Sequence, residues 1–131
     1  MAGYAVDRPE ERAWVATRTR PEQGRRYIDL STRLELESSR APLWRYPPGA
    51  SGVPHAERVQ EELFVVLEGT LTLVLGNPPA WEKLPAGGVA AVRPGTPIHV
   101  RNESETEVTF FVIGAPPAVD AADTLPEPVV P

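Results

Sequence analysis

Three side chains whose types suit chemistry lie within eight positions of one another: His55, Glu57 and Glu62. His55 and Glu57 are two apart, so a strand carrying them projects both to one face, and Glu62 follows after a turn on the next strand. One imidazole and two carboxylates converging on a point form a hard donor set for a divalent metal (Zn, Mn, Fe or Ni), weakly bound or absent, with water completing the shell. Without a metal the same groups suit proton transfer, His55 as base and Glu62 as its partner. An inward Glu62 lacking a cation is expected to pair with an arginine or to take up a proton.

Other chemistries are set aside by what the chain lacks. It has no cysteine, hence no disulfide, no thiolate nucleophile and no Cys-type zinc or iron–sulfur site. There is no Gly-x-Ser-x-Gly, no phosphate loop and no dinucleotide fingerprint. The net charge is −5, and twelve arginines and the single Lys83 are scattered among eighteen acids, a pattern that predicts no nucleic-acid partner. No apolar run reaches 18 residues, and Met1 to Arg8 has no apolar centre, so no membrane partner and a cytoplasmic location are expected.

The elements that must position these groups are short. Sixteen prolines and ten glycines in 131 residues leave few windows long enough for a helix. Strand-like runs fall at Trp14–Thr17, Tyr27–Leu30, Arg33–Glu37, Leu43–Tyr46, Glu62–Leu67, Thr70–Leu75, Val89–Val92, His99–Arg101 and Val108–Ile113, and Trp81 begins another. Such spacing predicts an all-β sandwich or barrel in one domain. Residues 1–24 read as an N-terminal arm and edge strand, 25–114 as the barrel, and 115–131, with five prolines and three acids, as an extended or mobile tail. Two runs, Glu62–Leu67 and Val108–Ile113, are apolar on both faces, which predicts a homodimer packed through outer sheet faces.

The span from Gly49 to Gly69 sets Gly49, His55, Glu57, Glu62 and Gly69 at the intervals of the first cupin motif, which the chain resembles. In that family a second histidine stands where this chain has Glu57. The second motif is matched by Gly87, Gly95 and Asn102, with Arg93 at a proline position and Ile98 at the position of a fourth metal-binding histidine. The resemblance, over residues 43–113, implies an antiparallel double-stranded β-helix, or jelly-roll, cupin barrel with a degenerate metal site. His99, one position late, is expected to point away from the lumen unless a bulge at Pro97–Ile98 resets the register. Gly69 is expected to form a tight hairpin turn. Asn102 reads as a turn brace, and Arg93, beside Pro94, as exposed.

Replacement of an imidazole by Ile98 enlarges an apolar wall formed with Phe64, Val66, Val100, Phe110 and Val112, which suits a small organic ligand. The first expectation is therefore a small-molecule-binding cupin, non-catalytic or weakly catalytic, free of metal. The second is a metal-dependent oxygenase or isomerase with His55, Glu57 and Glu62 as ligands, and it requires Glu57 to point inward. The fold supports many chemistries, so the family resemblance alone does not choose between them.

Overall fold

The computed structural model describes residues 2–118 and 122–125. Eleven strands among them form two antiparallel sheets. They are β1 (Val15–Ala16), β2 (Arg26–Asp29), β3 (Pro42–Tyr46), β4 (His55–Glu57), β5 (Glu61–Glu68), β6 (Thr70–Leu75), β7 (Ala80–Pro85), β8 (Val89–Val92), β9 (Ile98–Arg101), β10 (Val108–Ala115) and β11 (Ala122–Thr124). One sheet runs β1-β2-β3-β10-β5-β8 and the other β11-β4-β9-β6-β7, the all-β jelly-roll arrangement that the glycine and proline spacing implied.

Between the sheets lies a lumen filled by inward residues of both. Phe64, Val66, Leu71, Leu73, Ile98, Val100, Val108, Phe110 and Val112 belong to one buried cluster. Their alternation along β5, β6, β9 and β10 is the two-residue period of strands with one face to a core. A second cluster, Ile28, Leu30, Ala41 and Leu43, sits on the outer face of the first sheet and packs against Trp14, Leu34, Leu36, Phe111 and Ile113. The outward Phe111 and Ile113 of β10 thus pack partly against the N-terminal arm and a single helical turn of this chain.

That turn, α1 (Leu30–Arg33), replaces the strand expected at Arg33–Glu37. Asp29 caps it by accepting from the Ser31 backbone N–H at 3.0 Å and from Thr32 Oγ1 at 2.9 Å, and Glu35 then takes a positive φ of 53° that ends any extended run. The arm is pinned to it by Asp7, whose carboxylate meets Arg12 at 2.7 Å and Arg33 at 3.0 Å.

Gly69 is not a hairpin turn. It joins β5 of one sheet to β6 of the other, so it is a corner where the chain changes sheets. Its φ of +77° and the 2.6 Å that a Cβ would leave to the Glu107 carbonyl admit only glycine. Part of the tail is extended and paired: β11 adds to the edge of β4, and the Leu125 N–H bonds the Pro54 carbonyl at 2.9 Å. The rest of the tail, residues 119–121 and 126–131, lies outside the described residues.

Candidate functional site

β4 carries His55 and Glu57 on one face, and the following turn returns the chain so that Glu62 opens the inward series of β5. The three side chains converge: one ligand atom from each lies within 4.8 Å of the others. His55 Nε2 stands 3.2 Å from Glu57 Oε2 and 3.8 Å from Glu62 Oε1. The imidazole is oriented by its other nitrogen, Nδ1, which lies 3.0 Å from the Val53 carbonyl and donates to it, leaving Nε2 turned to the carboxylates. Glu57 is in turn held by Gln60, whose amide donates to Oε1 at 2.8 Å.

The two carboxylates are largely out of water, while the His55 side chain is part exposed. Glu57 is 8% exposed and Gln60 4%. Glu62 Oε1 is buried and accepts no hydrogen bond among the described residues; the group nearest to it is His55 Nε2, at ion-pair distance. Burial disfavours a charged imidazole at His55, but the Glu62 carboxylate, the Val53 carbonyl and the charge of Glu57 outweigh it and hold the pKa above its ordinary value. Among the described residues the group that faces Glu62 at ion-pair distance is His55, where an arginine was expected.

Beside the cluster is a cavity of about 290 Å³ whose wall includes His55, Glu62, Phe64, Val100, Phe110 and Val112. Of the six apolar residues read from the sequence as ligand contacts, four line this space. Val66 and Ile98 do not: at 1% and 2% exposure they are packed into the wall. Ile98 pairs directly with His55 across β9 and β4, so it faces the lumen next to the cluster, where the family's fourth ligand would stand.

β9 pairs with β6 in unbroken register, Leu75 opposite Ile98 and Val74 opposite His99, with no bulge at Pro97–Ile98. His99 therefore leaves the lumen, yet it is buried, its Nε2 lying 3.0 Å from the Gly52 carbonyl. Asn102 braces the turn after β9, donating to the Tyr46 and Thr106 carbonyls at 2.8 Å each and accepting from Ser104. Arg93 is exposed.

Two residues of the site were not singled out by the sequence. Gln60 stands between the two glutamates in a stretch that reads as a polar turn, and only the fold shows its amide turned inward. Arg25 lines the cavity at 4% exposure, donating to the Thr19 carbonyl at 2.6 Å and reaching the Tyr46 hydroxyl at 3.4 Å. The available signal was the Arg25-Arg26 pair at the start of a strand, where alternation turns one of two neighbours inward.

The cupin domain family matches residues 42–114, which holds both motifs. No curated protein matches the chain. Among solved structures, a sugar phosphate isomerase of the cupin superfamily from Silicibacter pomeroyi is 26% identical, with a TM-score of 0.66 over 79% of this chain and 69% of that one. TT1209 from Thermus thermophilus is also 26% identical, with a TM-score of 0.64 over 77% of this chain and 90% of that one. KdgF from Halomonas sp., at 15% identity and a TM-score of 0.69 over 84% and 93% of the two chains, shares the fold.

Proposed function

Because the chain belongs to the cupin domain family, we propose that it binds a small organic ligand in the barrel cavity and a divalent cation on His55, Glu57 and Glu62 at the cavity's edge. The observation that supports this most is the buried Glu62 Oε1, which accepts no hydrogen bond, within the three-residue cluster. A buried carboxylate oxygen with no hydrogen bond and only an imidazole at 3.8 Å leaves acceptor capacity unused, and a divalent cation would use it. The donor set fits a hard or borderline divalent ion.

When bound, such an ion supplies Lewis acidity to a ligand oxygen. The protein's own part is positional: Val53 fixes the His55 tautomer, Gln60 holds Glu57, and the walls of Phe64, Val100, Phe110 and Val112 take up the apolar body of the ligand and exclude water. Calorimetric titration of EDTA-treated protein with Mn²⁺ tests the reading. One ion per chain is expected, with affinity falling about tenfold or more in His55→Ala and Glu62→Gln. Absence of saturable binding, or binding unchanged in both variants, overturns it.

A metal-dependent isomerase acting on a sugar or keto compound is the second reading. It is favoured by Glu57, whose inward carboxylate completes the set that such an enzyme needs, and by the 26% identical structure bearing an isomerase name. Interconversion of aldose and ketose isomers by the Mn²⁺-loaded protein, abolished in His55→Ala, is the outcome that would select it.

A further inference from the structure

Among the described residues, Arg25 is a buried cation without a counter-ion. It precedes β2 and continues that strand's inward alternation, so its side chain enters the lumen. At 4% exposure its guanidinium presents a fork of N–H donors inside the barrel. Its hydrogen bonds are to neutral acceptors, the Thr19 carbonyl at 2.6 Å and, at the long distance of 3.4 Å, the Tyr46 hydroxyl. Nε has no partner, and among the described residues no carboxylate pairs with the group.

The rings of Trp44 and Tyr46 lie 5.7 and 5.5 Å from its central carbon, within reach of cation–π attraction but unable to accept the remaining N–H bonds. The space around it is kept open by sequence as well. A Cβ at Gly52 would stand 2.9 Å from the Tyr46 hydroxyl and 3.6 Å from Arg25 Nη1. Arg25 thus borders the same cavity as His55 and Glu62, with the hydroxyl-bearing Thr17 and Thr19 beside it. The wall is positive on the Arg25 side and acidic on the other.

We propose that Arg25 anchors the ligand: its guanidinium seats the carboxylate or phosphate group of a small organic anion whose remainder fills the cavity toward His55 and Glu62. This rests on the reading that the barrel cavity is the ligand site. An oxyanion is the partner that a planar fork of N–H donors fits best, and it supplies both the charge and the acceptor that Arg25 lacks.

The side-chain Nε–H resonance of Arg25, identified by its loss in Arg25→Lys, reports directly on the unpartnered atom. Full-length protein, EDTA-treated and separately Zn²⁺-loaded, is titrated with inorganic phosphate, with benzoate and with uncharged benzamide. A saturable shift of this resonance is expected with phosphate or with benzoate, and none with benzamide; the anion that moves it says which group the site prefers. Arg25→Lys, which keeps the charge but not the fork, is expected to remain folded and to bind that anion about tenfold more weakly. No saturable shift with either anion, or an equal shift with benzamide, overturns the proposal. Anion binding in the EDTA-treated protein without any cation uptake would defeat the metal reading alone, and cation uptake without anion binding would defeat this one alone.

Discussion

Along β5 the inward positions run Glu62, Phe64, Val66, and across from them on β10 run Gly114, Val112, Phe110. Over these three steps the lumen changes character. Val66, with Leu71, Leu73 and Val108, is packed at no more than 1% exposure within one apolar cluster. At the other extreme Glu57 and Arg25 are buried, Glu62 and His55 are part-buried beside them, and one Glu62 oxygen and the Arg25 Nε make no hydrogen bond among the described residues. The packed part gains from every methylene it removes from water. The cavity part gives up that gain and keeps polar, titratable groups where solvation is reduced, which is how binding sites depart from the rules that stabilise the frame around them.

If that division is real, substitutions on its two sides must fail in different ways. Leu73→Ala, in the packed part, is expected to lower stability by about 2–5 kcal/mol, read by urea unfolding, and to leave Mn²⁺ affinity unchanged at temperatures where the variant is folded. A parallel loss of affinity would show that the two parts are not separable. Ile98→His tests the border. Ile98 lies opposite His55 on the lumen face, so an imidazole there should join the cluster and raise Mn²⁺ affinity about tenfold, at some loss of packing. Unchanged affinity would mean that position 98 belongs to the wall and not to the site.

The smallest effect concerns pH. His55 has a folded-state pKa raised above its ordinary value, so in metal-free protein its contribution to stability is fully present below the unfolded imidazole value and is lost as pH rises through the folded one. Cation binding runs the opposite way, because a proton on Nε2 competes with the metal, and affinity should weaken as pH falls through that raised value. The difference in melting temperature between wild type and His55→Ala in EDTA, followed across this window, checks the first statement. A difference independent of pH would contradict it.

Much of this division can be read in the amino-acid order, and some cannot. The intervals from Gly49 to Gly69 and from Gly87 to Asn102 place the cluster and the frame, because spacing on strands decides which side chains share a face. The same alternation sends His99 out of the lumen and Ile98 into it, as the unbroken β9 register shows. Gly69 was legible as a position of positive φ but not as a change of sheet, since a hairpin turn and a corner make the same local demand. α1 escaped because Leu34 and Leu36 alternate like a strand, while the Asp29 cap that sets the turn acts through side-chain oxygens. Arg25 and β11 were hidden for a shared reason: an arginine beside another arginine, and a proline-rich tail, read as surface until long-range pairing closes the barrel over one and brings the other to β4.

The central claim is that His55, Glu57 and Glu62 act as one cation site. Anomalous diffraction from crystals grown with Mn²⁺ is the most direct measure of it. A single anomalous peak in coordinating contact with His55 Nε2 and with carboxylate oxygens of both Glu57 and Glu62 is the predicted result. A map with no peak at the cluster, or with the ion held elsewhere in the barrel, would contradict it.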